Sequence, residues 1–272
     1  MEILIPVFSL ALLGLLFGIG LAVASKKFAV KTDPRLEKIV GLLPGANCGA
    51  CGGAGCFGFA ESILSGKLSI DACRVSGDAV KEQIARLLGK KLEKRVKKVA
   101  VLHCHGGNKR AKDKFSYQGI RDCVAANIVH GGPKTCGYGC IGYGTCMLVC
   151  PFGAITMNNE DLPVINENKC TACGKCVAIC PKKLFILVPV TKMYAVRCMS
   201  LDFGKKVMQV CSVGCIACRK CEQACPVRAI KIIDNLSAID YNICDNRGEC
   251  FKVCPVNTIA QKVNKAWKNK LD

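Results

Sequence analysis

The fold is decided by two stretches of the sequence: Cys170-Thr-Ala-Cys173-Gly-Lys-Cys176-Val-Ala-Ile-Cys180-Pro181 and Cys215-Ile-Ala-Cys218-Arg-Lys-Cys221-Glu-Gln-Ala-Cys225-Pro226. Both follow the pattern C-x2-C-x2-C-x3-C-P, which supplies thiolate ligands to [4Fe–4S] clusters. The proline ends a short helix and turns the chain back. The segments 154–157, 184–188 and 229–233, which follow such prolines, have the composition of short strands.

The two stretches belong to a duplicated unit, because earlier cysteines recur 75 or 74 positions later. One cysteine is missing from the second copy, where Arg247 stands in its place. The first group, Cys136, Cys140, Cys146 and Cys150, recurs as Cys211, Cys215, Cys221 and Cys225. The second group, Cys170, Cys173, Cys176 and Cys180, recurs as Cys244, Arg247, Cys250 and Cys254.

In two-cluster ferredoxins the fourth cysteine of each run ligates the other cluster. This crossing predicts three complete ligand sets: Cys136, Cys140, Cys146 and Cys180; Cys150, Cys170, Cys173 and Cys176; and Cys215, Cys218, Cys221 and Cys254. A fourth set contains only Cys225, Cys244 and Cys250. It either remains a three-cysteine cluster or takes another ligand, for which Cys211 is a better reserve than the harder Asp240.

A further module near the N-terminus carries four cysteines with the spacing C-x2-C-x4-C-x16-C: Cys48, Cys51, Cys56 and Cys73. Soft thiolates suit iron–sulfur clusters or zinc. The intervening glycines allow the backbone to bend around a bulky cluster, and zinc more often uses two short paired knuckles. We therefore predict a [4Fe–4S] cluster here.

Cysteine usage as a whole favours metal ligation over disulfides. The chain has 23 cysteines in 272 residues, but disulfide-rich scaffolds are usually short secreted domains. The ligand sets predict about five [4Fe–4S] clusters, within a range of four to six. The cysteines left over are Cys104, Cys123, Cys198 and Cys211. They either hold a sixth cluster or are buried thiols left from the duplication.

The N-terminal segment Ile3 to Ala24 is apolar and uncharged, which predicts a transmembrane helix. Basic residues follow it, and the positive-inside rule then places the bulk of the chain in the cytoplasm. A cleaved signal peptide is the alternative, since the stretch ends in an A-x-A pattern. It is disfavoured because no basic region precedes the apolar run, and because export would expose the thiols to an oxidising compartment.

The predicted fold class is α+β. Its parts are a transmembrane helix (1–25), a linker (26–32), a small helical [4Fe–4S] domain (33–99), and two ferredoxin-like domains (100–190 and 191–272). In the helical domain one helix starts at Asp33-Pro34, and another extends from Ser76 to Lys98. The second helix has a lysine-rich face, which is either solvated or a docking patch. The stretch from Ser25 to Thr32 could let the first cluster domain swing.

The formal charge of +19 limits the partners. Five four-thiolate clusters of charge about −2 each would lower it to about +9. The composition is poor in aromatic residues, with no stacking platform, so nucleic acid is not an expected partner. The basic excess suits an acidic soluble protein or anionic lipid. No nicotinamide or flavin fingerprint and no acid–base pair stands out, which predicts electron transfer without a bond-making active site.

The order of these parts, with Cys48, Cys51, Cys56 and Cys73 after a membrane helix and ferredoxin runs behind them, resembles the RnfB family, the B subunits of Rnf complexes, over essentially the whole chain. That resemblance implies an electron-transfer subunit of an ion-translocating ferredoxin:NAD+ oxidoreductase in the bacterial inner membrane, with soluble ferredoxin as donor and other Rnf subunits and membrane lipid as partners. Two alternatives remain open: a membrane polyferredoxin serving another reductase or hydrogenase, and a non-redox protein with structural zinc or iron.

Overall fold

The structure, a computed structural model, describes residues 4–28, 33–92 and 96–262. The helices are α1 (Leu4–Lys27), α2 (Pro34–Leu42), α3 (Gly55–Leu64), α4 (Asp78–Leu88), α5 (Gly107–Arg110), α6 (Cys123–Ile128), α7 (Thr145–Leu148), α8 (Lys175–Ile179), α9 (Gly204–Val210), α10 (Lys220–Gln223) and α11 (Glu249–Lys252), with a 3-10 turn at Ile70–Ala72. The strands are β1 (Lys98–Leu102), β2 (Ile155–Met157), β3 (Pro163–Ile165), β4 (Phe185–Pro189), β5 (Tyr194–Val196), β6 (Ile230–Ile233), β7 (Leu236–Ile239) and β8 (Ile259–Gln261).

Helix α1 presents apolar side chains all around its axis. Phe8, Phe17 and Leu21 are each at least 66% exposed. At 1.5 Å per residue its 24 residues extend about 36 Å, against about 30 Å of hydrocarbon in a bilayer. Among the described residues it is the one helix long and apolar enough to cross a membrane. The predicted linker overlaps its last turn, and residues 29–32 lie outside the described part of the chain.

Helices α2, α3 and α4 form a small helical module. Helix α2 starts where predicted. The Asp33 side chain caps it by accepting a hydrogen bond from the backbone N–H of Arg35 at 2.9 Å, and Pro34 lies in the first turn. The apolar faces meet in a core that includes Ile39, Phe59 and Ile84. This core supports the loop that carries the first cysteines.

The helix predicted from Ser76 to Lys98 is wrong in length. Helix α4 ends at Leu88, because Gly89 takes up the left-handed conformation (φ 63°) and caps the helix. Lys98 already belongs to β1. Of the predicted lysine-rich face, Lys94 and Arg95 lie outside the described residues, and Lys90 and Lys91 follow the helix rather than extend it.

The rest of the chain forms two units with one topology. In each unit the first strand pairs antiparallel with the last, β1 with β4 and β5 with β8, and a hairpin lies between them, β2–β3 and β6–β7. The first unit thus extends from β1 to β4 and the second from β5 to β8. Pairing first with last strands closes each unit around the cysteine-bearing loops and short helices.

The cores of these units are built around thiols. In the first unit, Val99, Leu102 and Val188 are fully buried and pack with the buried cysteines of α7 and α8. The second unit repeats this with Ile230 and Ile259. The strand side chains and the cysteines belong to the same buried clusters, so each core packs directly against the candidate metal ligands.

Candidate metal centres

The four cysteines of the helical module come together as predicted. Cys48, Cys51, Cys56 and Cys73 line one opening, which we call the glycine-rich site. The Asn47 side chain accepts the backbone N–H of Cys56 at 2.8 Å, and a Cβ at Gly55 would lie 2.9 Å from that amide oxygen. Glycine at position 55 (φ 77°) therefore allows the loop to close around the thiols.

Four ferredoxin runs share one backbone conformation. The residue two positions after the first cysteine is left-handed in every run, and so are the residues four and thirteen positions after it. These residues are Gly142, Gly144 and Gly153; Ala172, Gly174 and Lys183; Ala217, Arg219 and Arg228; and Asn246, Gly248 and Asn257. The left-handed conformation costs about 1–2 kcal/mol for a residue with a side chain, so its recurrence at non-glycine positions indicates that the cysteine loops impose it.

In three of the runs, the residue after the last left-handed position donates its backbone N–H to a cysteine sulfur. The N–H groups of Ala154, Leu184 and Ala229 donate to the Sγ atoms of Cys150, Cys180 and Cys225 at 3.4, 3.5 and 3.3 Å. Hydrogen bonds to ligating sulfur stabilise the thiolate and tune the potential of a bound cluster.

Three openings in the two units are each lined by four cysteines. Site 1 consists of Cys123, Cys140, Cys146 and Cys180. Site 2 consists of Cys150, Cys170, Cys173 and Cys176. Site 3 consists of Cys215, Cys218, Cys221 and Cys254. Sites 2 and 3 are the sets predicted by crossing of the fourth cysteine.

Site 1 differs from the predicted set in one member. Cys123 lines its opening, whereas Cys136 was predicted there. Tyr143 occupies the position of the missing middle cysteine, and Cys123 reaches the opening from α6. The sequence places Cys136 only four residues before Cys140, and that proximity along the chain had suggested Cys136 instead of Cys123.

A polar network holds Cys123 in place. The Asp122 carboxylate caps α6 by accepting the N–H groups of Val124 and Ala125. It also accepts the Thr145 hydroxyl at 2.8 Å, and the Thr145 oxygen accepts the N–H of Cys123 at 2.7 Å. These bonds lower the pKa of Asp122. Because Thr145 begins α7, the network ties α6 to the helix that carries Cys146.

Burial raises the pKa of several thiols in sites 1 and 2, which disfavours their ionised form in the metal-free chain. Burial, and then the neighbouring thiols Cys123 and Cys180, raise the pKa of Cys146 to about 12. Burial likewise raises the pKa of Cys176 to about 12. At neutral pH such groups keep their protons in the metal-free chain, so metal binding must release protons and supply the charge that stabilises the thiolates.

The number and kind of the ligands suit an iron–sulfur cluster. Each of these openings offers four thiols, which is the ligand set that a [4Fe–4S] cluster takes.

Site 4 contains only Cys225, Cys244 and Cys250. Burial and the two neighbouring thiols raise the pKa of Cys250 to about 11. Both candidates for its fourth ligand have other contacts. The Asp240 carboxylate accepts the N–H of Asn242, and the Cys211 sulfur lies near Cys104 instead. Tyr241 lies near this site, since burial and then Cys244 and Cys250 raise its pKa to about 12.

Replacing Arg247 by cysteine is expected to complete site 4. Position 247 lies between left-handed Asn246 and Gly248, as Cys173 lies between Ala172 and Gly174. The Arg247 side chain is 61% exposed and paired with Asp245 at 2.6 Å, an exposed ion pair worth about 0–1 kcal/mol. Little stability is therefore lost. We expect about one more iron per chain, by the four-thiolate stoichiometry, and an altered EPR spectrum of the oxidised protein.

Arg247→Lys is the matched control, because it retains the charge and adds no thiol. Equal iron content in Arg247→Cys and the control would show that another group already completes site 4.

The remaining cysteines, Cys104, Cys136, Cys198 and Cys211, lie between the two units. The Cys104 sulfur accepts the backbone N–H of Cys140 at 3.4 Å. A Cβ at Gly106 would lie 3.5 Å from the Cys211 sulfur and 3.8 Å from that of Cys104. We call these four residues the junction thiols.

Two family models match parts of the chain. One, described as a putative Fe–S cluster, matches residues 43–75 and so contains the glycine-rich site. The other, described as a 4Fe-4S dicluster domain, matches residues 139–185 and so contains most of sites 1 and 2. Iron–sulfur clusters are therefore the cofactors.

Three relatives are similar to this chain over nearly its whole length. The chain is 45% identical over 261 residues to the B subunit of the Na(+)-translocating ferredoxin:NAD(+) oxidoreductase complex of Acetobacterium woodii, covering 96% of this chain and 78% of the relative. It is 40% identical to the B subunit of the ion-translocating oxidoreductase complex of Methanosarcina acetivorans, covering 92% and 95%. It is also 40% identical to the B subunit of the proton-translocating ferredoxin:NAD(+) oxidoreductase complex of Clostridium ljungdahlii, covering 92% and 89%.

Proposed function

Because this chain belongs to the RnfB family, the B subunits of ion-translocating oxidoreductase complexes of the Rnf type, we propose that it takes electrons from soluble ferredoxin and relays them through successive [4Fe–4S] clusters to the other subunits. Its role in iron–sulfur electron transfer follows from the family and from the cluster domains. The single observation that carries the relay is the crossing of ligands. Cys150 and Cys180 each follow the run of one site and line the other.

Each bound cluster supplies one-electron redox chemistry. The chain supplies thiolates, hydrogen bonds to sulfur and exclusion of water. Cys146, Cys170 and Cys176 are each 8% exposed, so sites 1 and 2 lie in a region of low dielectric. In such a region the N–H groups that reach sulfur act strongly on the reduced, more negative state.

The proposed ligands are the cysteines of the glycine-rich site and of sites 1 to 4, which gives about five clusters. The domain arrangement that goes with them is the helical module at 33–99, a first ferredoxin-like domain at 100–190 and a second at 191–272. The start of β1 at Lys98 and the end of β4 at Pro189 support both ends of the first ferredoxin-like domain to within about two residues.

We also propose that α1 anchors the protein in the bacterial inner membrane as a single-pass helix with the cluster domains in the cytoplasm. The basic residues on the C-terminal side of α1 support this orientation: Lys26, Lys27, Lys31, Arg35 and Lys38. They would also contact anionic lipid headgroups. Thiol ligands with no disulfide among the described residues suit a reducing compartment.

Ferredoxin as donor is tested by reduction of the purified full-length chain in detergent under anaerobic conditions. Less than one equivalent of reduced ferredoxin is added, and the visible absorbance and EPR spectrum are followed. We expect bleaching whose rate falls with ionic strength, because the cluster-loaded chain still carries a net charge of about +9 and encounter is steered electrostatically. Reduction by dithionite but not by ferredoxin would contradict the proposed donor.

Copurification from membranes tests the partners in the same material. We expect the other subunits of an Rnf-type complex to be retained with the chain. Recovery instead with a hydrogenase or another reductase would favour the membrane polyferredoxin alternative.

A further inference from the structure

The junction thiols come equally from the two ferredoxin-like units. Cys104 and Cys198 each lie two residues after the first strand of their unit, β1 or β5. Cys136 and Cys211 each lie four residues before the first cysteine of a ferredoxin run. Cys104 and Cys198 are therefore equivalent positions of the two units, as are Cys136 and Cys211.

Backbone hydrogen bonds confirm this equivalence. The N–H of His103 donates to the Leu184 carbonyl at 2.7 Å, and the N–H of Arg197 donates to the Thr258 carbonyl at 2.8 Å. Both bonds continue the pairing of a first strand with a last strand by one step. Cys104 and Cys198 follow these residues directly, so the two units present them in the same way from opposite sides.

The two units are bonded to each other beside these thiols. Ala111 forms an antiparallel bridge with Cys211. The N–H of Lys112 donates to the Val210 carbonyl at 2.9 Å, and the N–H of Ser212 donates to the Arg110 carbonyl at 3.0 Å. This fixes the loop of the first unit against the Cys211 segment of the second.

We propose that Cys104, Cys136, Cys198 and Cys211 ligate a sixth iron–sulfur cluster, which links the two ferredoxin-like units. This assignment rests on the proposed relay function and extends it, because neither family model covers all four residues. Three of these thiols are at most 9% exposed: Cys104, Cys136 and Cys198. Like sites 1 to 3, the junction brings together thiols that are distant in the sequence.

The junction touches a complete four-thiol site on each side. Toward site 1, the N–H of Cys140 donates to the Cys104 sulfur at 3.4 Å. Toward site 3, the Cys198 thiol lies beside Cys215. The junction thiols thus lie beside a ligand of site 1 and a ligand of site 3, so a cluster at the junction would link the two units.

Buried positive charge lies beside these thiols. The Arg197 side chain is almost completely buried, at 5% exposed, and donates to the Cys104 carbonyl at 3.4 Å. The guanidinium keeps its charge at neutral pH, and a four-thiolate cluster of charge about −2 would lie beside it.

Counting clusters on the full-length wild-type chain is the first test. The protein is purified anaerobically in detergent, and iron and sulfide are measured together with native mass spectrometry. We expect six clusters and about 23 iron atoms, against about 19 without the junction cluster, with site 4 counted as a three-iron cluster. Five clusters on a chain that reduced ferredoxin still reduces would overturn the junction assignment alone. A chain that holds no clusters would overturn the proposed function as well.

The double variant Cys104→Ala with Cys211→Ala removes one junction thiol from each unit. We expect a loss of about four iron and four sulfide atoms per chain, with the EPR signals of the other sites retained. Val213→Thr is the control, because it buries a hydroxyl in the Cys211–Cys215 loop and leaves all four thiols; it should keep the wild-type iron content. Wild-type iron content in the double variant would overturn the assignment.

Discussion

Replacement of Cys123 by alanine is expected to remove the EPR signal of site 1 and to lower the iron content by up to about four atoms per chain. The reason is geometric. Cys123 lines the same opening as Cys140, Cys146 and Cys180, and alanine leaves a buried site with three thiols. The measurement is anaerobic iron analysis with EPR at successive reduction potentials.

Two further variants make this experiment decisive. Cys180→Ala identifies the site 1 signal, because Cys180 is a ligand there whether Cys123 or Cys136 is the fourth. Cys136→Ala is the matched comparison and should leave that signal in place. Loss of the signal in Cys136→Ala and its survival in Cys123→Ala would restore the pairing that the spacing of the sequence suggests.

Deletion of residues 1–28 is expected to move the chain entirely from the membrane fraction to the soluble fraction with its iron content unchanged. Helix α1 exposes its apolar side chains all around, with Phe8 at 73% and Leu16 at 60% exposed, so it contributes little to the cluster domains. Fractionation by ultracentrifugation, with iron analysis of both fractions, provides the measurement.

A full-length variant controls for the shortened chain. Leu13→Arg together with Leu16→Arg places two charges near the middle of α1, each at a cost of about 3 kcal/mol, and should weaken membrane association without shortening the protein. Protease treatment of inverted membrane vesicles should digest the cluster domains of the wild type. Protection in inverted vesicles and digestion in intact spheroplasts would reverse the proposed orientation.

Much of this architecture could be predicted from cysteine spacing, because ligands within one run are brought together by a local turn. Sites 2 and 3 and the glycine-rich site contain the predicted cysteines. The strands after the prolines also follow from the runs, since a left-handed residue such as Lys183 redirects the chain into β4. The limit of α4 was missed because Gly89 outweighs an apolar pattern that continues to Val96.

The spacing did not predict that Cys123, which lies outside the four runs, lines site 1. Cys123 approaches site 1 through the Asp122–Thr145 network, which joins segments more than 20 residues apart. Cys104 and Cys198 meet only after two separate sheets have formed. Such contacts depend on tertiary packing, which the spacing of cysteines along the chain does not determine.

The crossing of Cys150 and Cys180 also bears on how the protein acquires its metal in the cell. Neither site of the first unit has all its thiols in place until both runs have folded, and the core around them is made largely of those same cysteines. Metal insertion and folding of the unit are thus one thermodynamic event. A newly synthesised chain that is short of iron lacks the clusters of sites 1 and 2 together, so the core of the first unit does not form. Such a chain is exposed to proteolysis, and the molecules that survive are those with both clusters in place.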